Sequence, residues 1–304
     1  MSIKSAKPMS PAVTDNGNYQ SRGLSDADVA RVMARRRDDQ APNTRRAYDR
    51  IGISWERWLA GRGVAASPLA VQVYLEEMIA DRGWTLATVR QTLAGIVQRE
   101  RANGGPSVQA DPGLAEYMRA VARSLGRPQR QARPLTAEAL VAIEAGCDIM
   151  SAATCALMRD GLLRVSEAAA LRWRDVSIDI YGGLIRVGRT KTDPAGAGKT
   201  LYVGRHAVEL LVEIARGPQE TVLRGGHATL YRRIRQAGID AGLGDGFSGH
   251  SPRVGMAQDL AAAGVPMAAL MEVGRWRSTA TALRYIERQQ AQRSAVAHYY
   301  GVHL

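Results

Sequence analysis

Arginine, lysine, histidine and tyrosine side chains lie in four short stretches of the sequence, and together they are the residue types that could break a phosphodiester bond. Arg164 and Arg253 could neutralise the non-bridging phosphate oxygens, because guanidinium groups bind such oxygens through paired hydrogen bonds. Lys191 and His250 could transfer protons, and Tyr285 could attack the phosphorus. None of these steps needs a metal ion or a nucleotide cofactor.

The first stretch, LLRVSE at residues 162–167, combines an arginine with a helix start. Ser166 is a candidate N-cap, so Arg164 is expected just before a helix N-terminus, where the helix dipole also favours an anion. A surface arginine followed by Glu167 in the first helical turn would give the same pattern. This stretch therefore carries little weight by itself.

The second stretch, GRTKTD at residues 188–193, places Lys191 beside the tip of a predicted β-hairpin. A flexible ammonium group there could enter a minor groove and give a proton to a leaving oxygen. A lysine that only keeps a turn soluble is the ordinary alternative. Lys199, at the far end of the same loop, is a competing candidate.

The third stretch, GHSPRV at residues 249–254, contains a strong helix start at Ser251 and Pro252. His250 is therefore expected just outside the helix and Arg253 in its first turn. A positive side chain in the first turn is unfavourable beside the positive end of the helix dipole. This local conflict indicates that Arg253 has a function other than stabilising its own helix.

The fourth stretch, GRWRSTATALRYI at residues 274–286, predicts a helix capped by Ser278 or Thr279 and carrying Tyr285. Taken alone, the tyrosine on an amphipathic helix and the nearby Trp276 are more often packing residues. Two further tyrosines, at positions 299 and 300, lie beyond this helix and are poor candidates for a nucleophile.

Length, helix starts and helix stops predict two units in a mostly α chain with a small antiparallel β-sheet. Alternating residues around Gly182 and Gly183 predict a hairpin, and a third strand is expected at 200–203. The predicted segments are a disordered tail at 1–23, a helical bundle at 24–126, an extended linker at 127–134, a second α+β unit at 135–290 and a C-terminal segment at 291–304.

The formal net charge of +12, from 41 basic and 29 acidic residues, favours a polyanionic partner, although a basic soluble protein would show the same excess. Cys147 and Cys155 are expected to be reduced thiols, and the absence of a signal peptide or long apolar run predicts a cytoplasmic protein. Arginines of the bundle and linker are candidate DNA contacts: Arg45, Arg46, Arg50, Arg90, Arg127, Arg130 and Arg133.

The order of the four stretches resembles the signature of the tyrosine site-specific recombinases, the lambda-integrase family. That signature is Arg-x-x-Glu, a lysine on a β-hairpin, His-x-x-Arg, then Trp or His, and finally Tyr, and the likeness covers residues 160–290. It implies an α+β tyrosine-recombinase catalytic domain after a helical core DNA-binding domain. Pro252, between His250 and Arg253, departs from the small residue expected there.

The resemblance implies a role for each matching residue. Tyr285 would be the nucleophile that forms a 3′-phosphotyrosine, and Arg164 and Arg253 would bind the non-bridging oxygens. Trp276 would donate its indole N–H to the same phosphate. Lys191 would protonate the leaving 5′ oxygen.

Two further residues would support this chemistry. His250 would assist proton transfer, and Glu167 would orient the region of Arg164 and His250. No metal and no nucleotide cofactor is implied.

The implied partners are double-stranded DNA with an inverted-repeat recombination site and three further copies of the chain, in a homotetramer on two DNA sites. Residues 291–304 would dock on a neighbouring protomer. No membrane is implied. Two alternatives stay open: a type IB topoisomerase that nicks and relaxes DNA, and a non-catalytic DNA-binding protein on the same fold.

Overall fold

Helices dominate the protein. The chain divides into two compact units, Met1–Pro128 and Gln129–Leu304, and the described part of the second contains a small antiparallel sheet, which confirms the predicted fold class. A computed structural model describes residues 42–104, 107–127, 131–188 and 198–292, with the single residues Ser25, Ala27 and Arg31.

Several predicted segments fall partly or wholly outside the described residues. The predicted tail at 1–23 lies outside them, and so does most of the predicted docking segment at 291–304. The predicted linker at 127–134 is described at residue 127 and at 131–134. Within the described ranges, every helix is too short or too polar to cross a membrane.

Three helices of the first unit begin where a short polar side chain accepts a backbone hydrogen bond. Ser67, Thr85 and Asp111 each accept from the N–H three residues further on, at 3.1, 3.3 and 2.7 Å. The helices are α1 (Pro42–Arg62), α2 (Pro68–Arg82), α3 (Leu86–Ala102) and α4 (Pro112–Leu125).

The first helix begins with a proline. It runs from Pro42 to Arg62. Proline fits the first turn of a helix because that turn leaves its backbone N–H groups unbonded in any case.

Aromatic side chains form the centre of the first unit's core. Trp55 stacks on Trp58 with ring centroids 5.5 Å apart, and Tyr74 meets both rings edge-on at 5.4 Å. Trp84 contacts Tyr74 at 6.2 Å. The indole N–H of Trp55 donates to the buried carboxylate of Glu100 at 2.6 Å. This buried N–H therefore has a hydrogen-bond partner.

The second unit places a three-stranded sheet among its helices. Its strands are β1 (Val176–Ile178), β2 (Gly182–Val187) and β3 (Lys199–Gly204), in the order β1-β2-β3. Its helices are α5 (Ala137–Gly146), α6 (Ile149–Asp160), α7 (Val165–Ala170), α8 (Arg205–Glu213), α9 (His227–Asp240), α10 (Ser251–Ala262), α11 (Met267–Gly274) and α12 (Thr279–Gln292).

The sequence predicted that the turn between β1 and β2 lies at Gly182 and Gly183, but it does not. It lies at residues 179–181, where the Asp179 carboxylate accepts from the N–H groups of Tyr181 and Gly182 at 2.8 and 3.0 Å. Gly182 and Gly183 belong to β2. A Cβ at Gly182 would lie 2.6 Å from the carbonyl of Val203, so this glycine permits the close approach of β3.

Helix α6 runs through the core of the second unit. Its residues from Ser151 to Arg159 are buried, and it packs against α5, α8, α9 and α10. Cys155 is one of these buried residues, and burial raises the pKa of its thiol to about 12. The helix ends at Asp160, immediately before the turn that leads to Arg164. The rigid core therefore supports the start of the candidate site.

The start of the second unit is fixed against α10. The N–H of Leu135 donates to the carbonyl of Ser251 at 3.0 Å, and its own carbonyl accepts from Nε of Arg159 at 3.3 Å. Gly255 faces the same Leu135 carbonyl so closely that a Cβ would overlap it. This approach holds the first turn of α10, which carries Arg253, against the rest of the unit.

Candidate active site

The turn before α7 holds Arg164 at the N-cap position of that helix. Its backbone is extended, with φ −76° and ψ 152°, and the helix begins at Val165. The prediction that Ser166 caps the helix is therefore wrong. The Glu167 carboxylate, in the first turn, accepts from the N–H of Arg164 at 2.9 Å and stabilises the helix start in place of a serine hydroxyl.

Helix α10 begins at Ser251, as predicted, with His250 at its N-cap position. The N–H of Ser248 donates to the hydroxyl of Ser251 at 2.8 Å, and Pro252 follows in the first turn, where no N–H is needed. His250 is only partly covered, whereas Arg253 is only 1% exposed. The departure at Pro252 is thus compatible with the helix start.

The Arg253 side chain is buried in the centre of the site. Its terminal nitrogens donate to the carbonyls of Leu162 and Gly274. Its guanidinium carbon lies 4.8 Å from the Trp276 ring centroid and 5.7 Å from that of Tyr285. Burial and the nearby Arg164 lower its pKa to about 10, so the group stays charged at neutral pH.

One polar atom of Arg253 has no acceptor in the described part of the chain. Its Nε is buried and unpaired, although both terminal nitrogens are bonded. A buried donor without a partner is costly, and such groups are rare in folded proteins. This donor is therefore available to an anion that enters the site.

Trp276 and Tyr285 lie together on the segment that follows α11. Their ring centroids are 4.7 Å apart, and Trp276 is buried whereas Tyr285 is half-buried. Ser278 caps α12 by accepting from the N–H of Thr281 at 3.3 Å, as one of the two predicted caps. A small apolar cluster that includes Leu162 and Trp276 holds α10, α11 and α12 together.

Two glutamine side chains bind the backbone of α12 beside the tyrosine. Gln258, buried on α10, donates to the carbonyl of Tyr285 at 3.2 Å. Gln131, near the start of the second unit, donates to the carbonyl of Arg284 at 2.6 Å. The position of α12 is therefore fixed from two directions, and with it the position of Tyr285.

The sequence patterns did not single out Arg275, which lies in the same cluster. Its side chain is only 6% exposed and bonds Oε2 of Glu167 at 2.7 Å. Its backbone is left-handed, with φ 55°, a conformation that costs a residue with a Cβ about 1 kcal/mol. An arginine between a glycine and a tryptophan gives no signal of burial, because the turn that buries it depends on contacts distant in sequence.

Glu167 is the carboxylate that faces these arginines. Its Oε1 accepts from Arg164 at 2.5 Å and its side chain is 5% exposed. Burial alone raises the pKa of Glu167, but Arg275, the N–H of Arg164 and the Arg164 guanidinium outweigh burial, so the pKa lies below its usual value. Glu167 is therefore ionised near neutral pH, consistent with the predicted contact to Arg164.

The charge environment of His250 favours its neutral form. Partial burial lowers the pKa of the imidazole, and the nearby positive charges of Arg253 and Arg164 lower it further. His250 is thus largely neutral at pH 7 and can accept a proton. Its place beside both arginines agrees with the predicted grouping.

Lys191 lies outside the described residues, in the connection between β2 and β3, so its distance to the other candidates is not described. The competing Lys199 is the first residue of β3. Its ammonium group donates to the carbonyl and to Oε1 of Glu272 on α11, both at 3.1 Å. Lys199 is thus engaged in a contact that joins the base of the hairpin to the helix before Trp276.

The candidate DNA-contacting arginines differ in their surroundings. Arg46, Arg50, Arg90 and Arg127 are exposed, and Arg45 is half-buried. Arg130 lies outside the described residues.

Arg133 has partners inside the second unit. It donates to the carbonyl of Leu243 at 2.7 Å and lies over the Phe247 ring at 4.5 Å. Arg133 therefore has a packing role that the sequence did not predict.

The described candidates can together hold a phosphate group beside a phenol. The guanidinium groups suit the phosphate oxygens, the imidazole suits a proton, and the phenol suits nucleophilic attack. The structure brings together Arg164, Glu167, His250, Arg253, Trp276 and Tyr285. The fold is that of the tyrosine recombinases. The chain belongs to the phage integrase family, because the family model described as "Phage integrase family" matches residues 133–292.

Individual proteins are similar to this chain in sequence or in fold. Recombinase Cre of Escherichia phage P1 is 27% identical over 286 residues, covering 80% of this chain and 83% of Cre. The Tn1549 transposon integrase in complex with transposon right end DNA matches with a TM-score of 0.61 at 14% identity, covering 86% of this chain and 97% of that one. A lambda integrase tetramer bound to a Holliday junction matches with a TM-score of 0.54 at 16% identity, covering 88% and 73%.

The ion pairs of Glu167 predict a pH-dependent contribution to stability. Because its folded-state pKa is depressed, the contribution is fully present above the pKa of an unfolded glutamate, about 4.3, and is lost as the pH falls below that value. We expect Glu167→Gln to cost on the order of 3 kcal/mol at pH 7, as for a broken buried ion pair. The measurement is thermal unfolding of both proteins from pH 3 to pH 7.

The difference in Tm between wild type and Glu167→Gln should shrink below about pH 4. Glu213→Gln, an exposed position on α8, is the matched control and should stay within a degree or two of wild type throughout. A difference that is the same at every pH would contradict the assignment of Glu167 as an ionised partner of the arginines.

Proposed function

We propose that the protein performs site-specific DNA recombination through a covalent 3′-phosphotyrosine at Tyr285. The observation that carries the proposal is the position of the Tyr285 ring, which lies 5.7 Å from the Arg253 guanidinium and 4.7 Å from the Trp276 ring. Membership of the phage integrase family supports the same chemistry. The substrate would be double-stranded DNA.

In the cleavage step, the Tyr285 oxygen attacks the phosphorus of one DNA strand. A bond forms between that oxygen and phosphorus, and the bond between phosphorus and the 5′ oxygen breaks. The neutral His250 is suited to take the phenolic proton, because burial and the charges of Arg253 and Arg164 lower its pKa. Lys191 donates a proton to the 5′ oxygen, which leaves as a hydroxyl.

The arginines stabilise the additional negative charge of the transition state. Arg253 offers a buried Nε without a partner in the described residues and stays charged despite its burial. Arg164 lies at the N-terminus of α7, where the helix dipole also favours an anion. Trp276 would add an indole N–H. In other enzymes, the loss of one such donor slows the reaction by about 10²–10³-fold. We expect removal of Arg253 to slow cleavage by a similar factor.

Rejoining reverses the cleavage on a new partner. The 5′ hydroxyl of the other DNA site attacks the 3′-phosphotyrosine, a new phosphodiester forms and Tyr285 is released. The number of phosphodiester bonds is unchanged, so the exchange needs no ATP. His250 and Lys191 exchange their proton-transfer roles in this direction.

DNA would be held by both units through contacts with its phosphates. The described candidates of the first unit are the half-buried Arg45 and the exposed Arg46, Arg50, Arg90 and Arg127. Arg133 is a weaker candidate, because its guanidinium is bonded to Leu243 and packed on Phe247. An inverted-repeat site would present the same contacts to two protomers.

The assembly would be a homotetramer on two DNA sites. The similar lambda integrase structure is a tetramer bound to a Holliday junction, which supports this assembly. The segment 291–304, apolar at Val296, Tyr299 and Val302, would dock on the neighbouring protomer.

The nucleophile is tested with a nicked duplex that carries the DNA site the protein selects from a random-sequence pool. The wild type should form a protein–DNA adduct that survives detergent, because the cleaved fragment diffuses away and cannot rejoin. Tyr285→Phe should form none, since it lacks the attacking oxygen. Denaturing gel electrophoresis measures the adduct.

Tyr299→Phe and Tyr300→Phe are the matched controls, since each removes a phenol near the end of the same chain. Both should keep the adduct. Its loss in either control, together with its survival in Tyr285→Phe, would show that the nucleophile is misassigned. A wild type that binds its site and forms no adduct would instead support a non-catalytic DNA-binding protein.

The role of Lys191 is tested with a substrate in which sulfur replaces the bridging 5′ oxygen. A thiolate leaves without a proton, because its conjugate acid is far more acidic than an alcohol. Lys191→Ala should therefore slow cleavage of the ordinary substrate by about 10²-fold or more and cleave the sulfur substrate near the wild-type rate.

Lys199→Ala is the control for Lys191. It removes the contact with Glu272 and leaves Lys191 in place, so any defect should be the same on both substrates. Rescue by sulfur in Lys199→Ala, without rescue in Lys191→Ala, would assign the proton donor to Lys199.

The docking role of the C-terminal segment is tested by ending the chain after Gln292, the last residue of α12. Each protomer should still bind one DNA site and form the adduct, because the described candidates remain. Synapsis of two sites and formation of recombinant product should be lost. Native electrophoresis and a recombination assay measure these steps, and normal synapsis in the shortened chain would exclude the docking role.

A further inference from the structure

Arg275 occupies a position that is unusual for an arginine in two respects. Its backbone is left-handed, with φ 55° and ψ 41°, a region that suits glycine. Its side chain is nevertheless almost fully buried. A charged group in this position requires compensating contacts, because both the backbone conformation and the desolvation of the charge oppose it.

The contacts of Arg275 connect two turns of the site. One terminal nitrogen donates to the carbonyls of Gly161 and Val273, at 3.2 and 3.0 Å. The other donates to the carbonyl of Leu162 at 2.8 Å and to Glu167 at 2.7 Å. Gly161 and Leu162 precede Arg164, and Val273 lies in the last turn of the helix before Trp276.

The Leu162 carbonyl is the shared point of this network. It accepts from Arg275 and also from Arg253, and the φ of Leu162 is itself positive, at 44°. The turn before Arg164 is therefore held in an unfavourable backbone conformation by two guanidinium groups. A substitution that removed these bonds would free the turn, and it would free Arg164 as well.

We propose that Arg275 is a positioning residue for strand cleavage. Arg275 fixes Arg164 through Glu167 and the Leu162 carbonyl. It also connects this turn to the segment that carries Trp276. The proposal rests on the function proposed above. Arg275 does not contact DNA in this role. It acts by holding the groups that do.

Charge supports this role. Glu167 faces Arg164, Arg253 and Arg275, and the positive charge of Arg275 is the largest influence that lowers the pKa of Glu167 against burial. Without Arg275, burial would raise the pKa of Glu167. The protonated carboxyl would then hold Arg164 less firmly, so cleavage should become sensitive to acid.

The central variant is Arg275→Gly. Glycine adopts φ 55° without strain, so this change removes the guanidinium and leaves the backbone conformation accessible. We expect DNA binding within a few-fold of wild type and adduct formation slower by about 10²-fold, the scale of a catalytic group misplaced by about 1 Å. The rate should fall further as the pH drops from 8 to 6, with a steeper decline than in wild type.

Arg205→Gln is the matched control, because it removes a positive charge from an exposed pair on α8. It should keep the wild-type rate and pH profile. Arg275→Lys restores the charge opposite Glu167 without the paired donors, so it should recover the wild-type pH profile and part of the rate.

A double-mutant cycle separates positioning from a general structural effect. Because Arg275 acts in part through Glu167, Arg275→Gly combined with Glu167→Gln should be slowed by clearly less than the product of the two single defects. Fully multiplied defects would overturn the proposal. So would a wild-type rate and pH profile in a folded Arg275→Gly protein. If Arg275→Gly does not fold, the rate of adduct formation in Arg275→Lys tests the proposal instead. A wild-type rate in Arg275→Lys would equally overturn it.

A measurement without DNA distinguishes failure of this inference from failure of the proposed function. Hydrogen exchange of the amides from Leu162 to Ala168 should be faster in Arg275→Gly, while the amides of α6 keep their protection. A wild type without any adduct, combined with this local change, would reject the recombinase chemistry and retain the positioning. An active wild type with unchanged exchange in the variant would reject the positioning.

Discussion

A charged guanidinium buried in the centre of the second unit is the constraint on which the site depends. Arg253 can remain charged there only because fixed acceptors, the carbonyls of Leu162 and Gly274, meet two of its nitrogens. Those carbonyls belong to the turns that lead to Arg164 and to Trp276. Burial of one side chain therefore sets the geometry of both turns, and the site is assembled around Arg253.

Helix starts bring the functional groups together. Arg164 and His250 are the N-cap residues of α7 and α10, and Arg253 lies in the first turn of α10. The partly positive N-terminal end of a helix favours an anion. The repulsion within this cluster of positive groups is offset by the carboxylate of Glu167, which pairs with Arg164 and Arg275.

The sequence predicted the start of α10 because Ser251 followed by Pro252 is a local signal that specifies a helix start within a few residues. The grouping of the site residues was implied by the resemblance of the motif order to the recombinase signature, and no local signal gave it. The sequence did not predict that Arg164 itself is the N-cap, nor that Gly182 serves a close strand contact. It also missed Arg275. The cap at Arg164 is unusual, because the Glu167 carboxylate replaces a serine hydroxyl. The other two features depend on neighbours distant in sequence. Gly182 faces a carbonyl of β3, and Arg275 bonds a turn over a hundred residues away.

The hydrogen bond from Gln131 to the Arg284 carbonyl has a mechanical consequence. Gln131 belongs to the chain that enters the second unit, only four residues before the Leu135 contact with α10. Tension along the entering chain would therefore load the backbone of α12 one residue from Tyr285 before it reached the core. Among the described residues, the helix that carries Tyr285 is thus the first element of the unit to bear a pull from the preceding segment.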